Sequence, residues 1–261
     1  MKINLIRDIF CRLYYSRLII LAALLLHGSR AVSQTSPATS NYSRLNGFGL
    51  FGEYSNDSSH MLIGVSRNRK LLDFGGSYTR RLLLNRFMDG QYMAEIRPVM
   101  LESDPITDQT TVIVSPPPSQ TYTNDGPLQE ACHAFTSTST SIIQGVTYTE
   151  NFTQTCPGRR WTYGAGLSPI GFKLNFLPRR RIQPVLTGLG GLMISTQQIP
   201  VSDASRFNFT FEFGGGLEFY RSTTRSIRVE WRYHHISNDF TGNQNPGIDS
   251  GLFQVTYAFG H

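Results

Sequence analysis

The sequence predicts an all-β fold, an eight-stranded antiparallel outer-membrane β-barrel with long extracellular loops. Three observations point there. Apolar and polar residues alternate with period two through long stretches, clearest in "RFNFTFEFGGGLEFY". Beyond the N-terminal region no segment approaches the roughly 18 consecutive apolar residues of a membrane helix. Aromatic residues and glycine are nonetheless abundant, 12% and 24 residues respectively. Third, the connections between the alternating segments are by turns short and long, the pattern of a membrane barrel with tight periplasmic turns and larger outer loops.

The N-terminus precedes that fold. "MKINLIRDIFCRLYYSR" is a basic lead, "LIILAALLL" an apolar core, and "AVS" before Gln34 a small-x-small cleavage site. Together they predict a signal peptide over 1–33, followed by an N-terminal segment, 34–46, and a barrel domain, 47–261. Removing Lys2, Arg7, Arg12, Arg17, Arg30 and Asp8 from the 24 basic and 18 acidic residues leaves about +2. The basic balance is therefore mainly an export feature, and nucleic-acid binding is not expected.

Eight strands are expected, at approximately 47–56, 72–84, 90–102, 160–176, 182–196, 206–220, 226–238 and 248–259. The first is the weakest, since "MLIGVSRNRK" either extends it or forms a short strand of its own. The fourth changes parity near Ser168-Pro169, which predicts a bulge. In the sixth, Phe207, Phe209, Phe211, Phe213, Leu217 and Phe219 share one face, opposite Asn208, Thr210, Glu212 and Glu218. The seventh repeats this, with Ile227, Val229, Trp231 and Tyr233 opposite Arg228, Glu230 and Arg232. Carboxylates and guanidiniums facing each other inside, with aromatics outside, give an interior of paired charge and an apolar exterior. The glycines of "FGGGLEF" fit as small residues on a tight inner face, having no strand-turn-helix context for a nucleotide loop.

Connections after the second, fourth and sixth strands are short ("NRFMD", "LPRRR", "RSTTR"); those after the first, third, fifth and seventh are longer. The longest, 103–159, reads as an irregular surface loop containing "SPPPSQ" and "TSTSTS". It also holds Cys132 and Cys156, the two cysteines left after export, which suggests one disulfide. Such a bridge would stabilise by roughly 3 kcal/mol. The spacing does not complete a metal ligand set, and no metal or other cofactor is expected.

The chemistry is expected in "YHHISNDFTGNQNPGIDSG", residues 233–251. Parity separates its two histidines. His234 shares the inward face of Arg228, Glu230 and Arg232, whereas His235 and Ser237 share the lipid face of Trp231 and Tyr233. Counting back from Phe253, Val255, Tyr257 and Phe259 puts Asp249 on the lipid face too. Polar residues on such a face are costly and suggest function, although the rim already lies in the headgroup zone where polarity costs little. Ser237 has the residue type of a nucleophile, His235 that of its base, and Asp249 that of the acid fixing the imidazole tautomer. Asn238 is a candidate oxyanion donor. A site beside the barrel wall calls for an acylated lipid carrying a carboxylic ester.

"HISN" followed by "NPGID" resembles the lipid A 3-O-deacylase (PagL) family, also called acyloxyacyl hydrolases. The resemblance implies an outer-membrane serine esterase that removes the 3-O-linked acyl chain of lipid A without a cofactor. In it His235 is the base, Ser237 the nucleophile, Asp249 the acid and Asn238 part of the oxyanion hole. Its implied partners are lipopolysaccharide and the outer membrane, and a homodimer is compatible with it. Two features depart from the family: its best-known members carry glutamate in place of Asp249, and the 103–159 insertion is absent from its minimal barrel. Two other readings remain open: an outer-membrane phospholipase A-like enzyme, and a non-catalytic barrel with a binding loop.

Overall fold

The computed structural model describes residues 41–261, so the expected signal peptide at 1–33 lies outside the described residues. Ten strands and no helix are found among them: β1 (Asn46–Ser55), β2 (Lys70–Leu84), β3 (Met88–Ser115), β4 (Gln120–Gly126), β5 (Phe135–Ile143), β6 (Val146–Phe176), β7 (Ile182–Ile199), β8 (Ser205–Tyr220), β9 (Arg225–Ser237) and β10 (Ile248–Gly260). All named pairings are antiparallel. Eight strands, in the order β3-β2-β1-β10-β9-β8-β7-β6, close into a ring through the β3–β6 pairing. These eight cover the segments expected from alternation. The parity change at Ser168-Pro169 is a register shift between Leu167 and Ile170.

The interior is polar, and many of its charges meet a counterion, although the buried Asp73, Asp89 and Glu102 enter no ion pair among the described residues. Arg97 reaches Glu53 at 2.7 Å, Glu95 at 2.7 Å and Glu212 at 2.6 Å. Arg232 contacts Glu95 and Glu212 at 3.1 Å and Glu230 at 2.9 Å. A second cluster joins Glu218 to Arg44 at 2.9 Å and Lys173 at 2.7 Å. Burying ions of one sign alone would be prohibitive, and interlocked pairs remove most of that cost. Leu71, Met100, Met193, Ile236, Ile248 and Leu252 belong to an apolar cluster of buried residues. The outside is apolar: Phe207, Phe209, Phe211, Phe213, Trp231, Phe253 and Tyr257 are all exposed. On β8 the inward Gly216 has no room for a side chain, because a Cβ there would overlap the Val229 carbonyl of β9.

Two expectations about the connections are corrected. The 103–159 segment is largely regular, not irregular. β3 and β6, 28 and 31 residues long, continue past the ring as a hairpin, with β4 and β5 added to give the order β4-β3-β6-β5. Alternation fails to reveal it because its outer strands have no buried face: β5, "FTSTSTSII", is exposed along its whole length. Cys132 and Cys156 form a disulfide, with Cα atoms 5.9 Å apart, tying the β4–β5 connection to β6. The β7–β8 connection, expected to be long, is only 200–204, since β7 extends to Ile199.

Candidate active site

The site lies where β9 and β10 end, on the outer face of the ring. His235 and Asp249 are direct cross-strand partners, so the register alone brings their side chains to one place. His235 Nδ1 lies 2.6 Å from Asp249 Oδ1. A carboxylate only accepts, so Nδ1 carries the hydrogen and Nε2 keeps its lone pair. His234, one residue earlier, is buried in the ring with Nε2 3.9 Å from Glu212.

Asp249 is held by more than the histidine. Its Oδ2 accepts the Leu62 and Ile63 amides at 2.7 and 2.9 Å, and its Oδ1 accepts the Tyr233 hydroxyl at 2.7 Å. The amides come from the β1–β2 connection, residues 56–69, which folds across the β9–β10 rim. Ser59 N donates to Asp249 O, Val65 N to Pro246 O and Ser66 N to Gly247 O. Gly64 permits this approach, as a Cβ there would stand 2.8 Å from Asp249 Oδ1. This cover explains how Asp249 is fully buried, and Tyr233 nearly so, on the outward parity. Gly247, at φ 63°, lies beside the imidazole, where a Cβ would come 3.1 Å from His235 Cε1.

Ser237 is on the same outward parity, but its hydroxyl donates to Asn245 Oδ1 at 3.1 Å, and among the described residues no hydrogen bond joins it to His235. Asn238 is placed differently from expectation. Its Nδ2 donates to Gln244 O at 2.7 Å and its Oδ1 accepts Phe240 N at 2.9 Å. The side chain is buried and braces the 238–247 turn. The donor adjoining the serine is instead the backbone N–H of Asp239, 3.4 Å from Ser237 Oγ.

Sequence reasoning missed Tyr233, Asn245 and the 62–63 amides. Tyr233 carried a usable signal, being on the parity of His235 and Asp249. The backbone donors carried none, although the apolar "MLI" outside any strand marked the segment. Met61, Leu62 and Ile63 turn their side chains outward, with Leu62 and Ile63 69% and 67% exposed. Around the polar cluster the wall is aromatic, since Phe211 pairs with His235 and Phe209 with Ser237 across β8–β9.

Fold and site together define an all-β ring protein with a buried acid and a largely buried histidine paired on its apolar outer face. Residues 132–258 match the model of the family described as Lipid A 3-O-deacylase (PagL). The span contains β5–β9, all but the last two residues of β10, and every residue singled out in the 233–251 stretch. No curated protein matches the sequence. Among solved structures, Neisserial surface protein A (NspA) is 9% identical, with 83% of this chain and 97% of that one covered at a TM-score of 0.39. The outer membrane protease OmpT from Escherichia coli is 10% identical, with 87% and 98% covered at 0.28. LpxR from Salmonella typhimurium is 9% identical, with 82% and 100% covered at 0.24. Likeness at these scores adds no weight to any reading of the site.

Proposed function

We propose that the chain is an outer-membrane β-barrel esterase that hydrolyses the 3-O-linked acyl chain of lipid A, with Ser237, His235 and Asp249 as its triad. The observation that carries the reading is the His235–Asp249 pair, bonded at 2.6 Å on an otherwise apolar exterior, within the span that matches the PagL family. A charged carboxylate there is costly, and its four donors fix one orientation that presents the imidazole outward. The exposed aromatic and aliphatic wall supports membrane insertion, since a water-soluble protein rarely leaves so large an apolar surface uncovered. With the short turns on the periplasmic side, the site lies at the outer leaflet.

The chemistry follows triad logic. Ser237 rotates from Asn245 toward His235, and its Oγ attacks the ester carbonyl as Nε2 takes the hydroxyl proton. Asp249 stabilises the resulting imidazolium through Nδ1–H. The tetrahedral oxyanion is met by backbone N–H, with Asp239 in place to donate. Collapse returns the proton to the departing sugar oxygen and leaves an acyl-serine. Water then attacks the acyl-serine with His235 as base, releasing the fatty acid and restoring the serine.

The test is the mass spectrum of lipid A from a host expressing the protein. Loss of one ester-linked hydroxyacyl chain, absent in a folded Ser237→Ala variant, is the expected result. Unchanged lipid A with the wild-type protein folded in the outer membrane would refute the reading.

A further inference from the structure

At the end of the ring opposite the candidate site the exposed charged side chains share a single sign. Around the three short turns the exposed charged side chains include Arg80, Arg86, Arg179, Arg180, Arg221 and Arg225. The carboxylates nearest to them, Asp89 and Glu218, are buried. The long-connection end is mixed, with Asp57, Asp203 and Asp239 exposed beside Arg67 and Arg206. A soluble rim needs charge but has no need of one sign, so the asymmetry calls for an anionic partner.

The arginines converge where two turns meet. Pairing of Met88 with Phe176 sets the β2–β3 and β6–β7 turns side by side. Leu177 N then donates to Phe87 O at 2.8 Å, joining the two turns through backbone. Arg86, Phe87, Leu177, Arg179 and Arg180 line the resulting cleft of about 450 Å³. None of its three guanidiniums enters an ion pair among the described residues. Arg86 lies over the Phe87 ring, its Cζ 4.5 Å from the centroid. The cleft opens directly onto the apolar wall, where Phe87, Leu177 and Phe176 are 61%, 48% and 38% exposed.

We propose that this cleft binds the phosphodiester headgroup of an anionic phospholipid in the leaflet opposite the candidate active site. The arginine forks match phosphate oxygens bidentately, and the adjoining Phe87, Leu177 and Phe176 receive the upper acyl chain. A soluble polyanion would satisfy the charge but has no use for the apolar continuation. The proposal rests on the reading of the ring as a membrane barrel.

The test is native mass spectrometry of the full protein in detergent micelles with added dioleoyl phosphatidylglycerol or dioleoyl phosphatidylcholine. The expected result is retention of phosphatidylglycerol at roughly tenfold preference or more, since each basic residue at an anionic surface contributes about fivefold. The triple variant Arg86→Gln, Arg179→Gln, Arg180→Gln should lose the preference, while Arg206→Gln at the other end should keep it. Equal retention of both lipids by the wild type, or an unchanged preference in the triple variant, would overturn the proposal. Displacement of the lipid by an equal concentration of glycerophosphoglycerol, which lacks acyl chains, would reduce the site to a plain anion site and overturn it too. Heat-modifiable mobility in phosphatidylcholine vesicles separates the two readings. Failure to insert defeats the membrane reading and this proposal with it; insertion without a lipid preference defeats this proposal alone.

Discussion

Asp249→Asn isolates what the carboxylate does, because it replaces one oxygen by NH2 and leaves the cross-strand pair in place. The carboxylate accepts four hydrogen bonds, two from loop amides on Oδ2 and two from Tyr233 and His235 on Oδ1. An asparagine offers one oxygen and one NH2, so it must choose which pair to face with which group. Turning NH2 toward Leu62 and Ile63 strands two buried amides, at about 1–3 kcal/mol each. Turning the oxygen to the loop strands neither: Tyr233 rotates its hydroxyl to accept, and His235 is left to accept at Nδ1. That second arrangement wins, and it moves the imidazole hydrogen to Nε2, where the proposed mechanism needs a lone pair for the serine proton. The expected loss in kcat is therefore about 10⁴-fold, the effect of the same tautomer inversion in other triads. The assay is fatty acid release from purified lipid A in micelles, followed by mass spectrometry, with heat-modifiable mobility confirming a folded ring. Retention of more than about a tenth of wild-type activity would refute the tautomer argument, because triad members act as a unit.

Tyr233→Phe removes one of the four donors and leaves the tautomer intact, so kcat should fall only about tenfold, equivalent to about 1.4 kcal/mol; the same release assay measures it. His234→Ala should leave fatty acid release close to wild type while lowering stability by about 1–3 kcal/mol, read from the shift of the denaturation midpoint. Equal loss of activity at His234 and His235 would show that the inward histidine is also in the chemistry. Gly216→Val should block folding of the ring, read as loss of the heat-modifiable gel shift, because its Cβ has no space beside the Val229 carbonyl.

The ring was legible because its strands carry their signal in alternation, with an apolar outward face opposite a more polar inward one on most of them; β7, with Val185, Leu189 and Met193 turned inward, is the least polar. The separation of His234 from His235 was legible for the same reason, since parity needs no knowledge of neighbours. What parity does not encode is which connection folds back onto which strand. The 56–69 segment docks on β10 through backbone groups, Ser59 N to Asp249 O and the Leu62 and Ile63 amides to the carboxylate. Any residue but proline supplies such a donor, so its type says nothing. The β3–β6 extension was hidden for the converse reason: its outermost strands bury neither face, and "TSTSTS" reads as loop. Asn238 was misread because a buried asparagine bracing a turn and one aimed at an oxyanion look alike in sequence.

The structure also bears on the aspartate that stands where the resemblance leads one to expect glutamate. A shorter acid must either move its strand toward the histidine or gain support from the opposite side. Direct pairing of Asp249 with His235 rules out strand movement, since the β9–β10 register continues unshifted from Ile248 to Phe259. Support comes instead from the loop, which closes on the carboxylate so tightly that a Cβ on Gly64 would stand 2.7 Å from Asp249 N and 2.8 Å from Oδ1. A longer acid has no space to fill here. Asp249→Glu must push 62–64 outward by roughly 1.5 Å, about one C–C bond, and forfeits at least one loop amide, at about 1.5–3 kcal/mol for a bond to a charged acceptor. If that loss falls on imidazole orientation, release of fatty acid should drop about tenfold or more, and amide exchange at Leu62 and Ile63 should quicken. A glutamate variant as active as the wild type, with those amides still protected, would mean the loop does not position the acid.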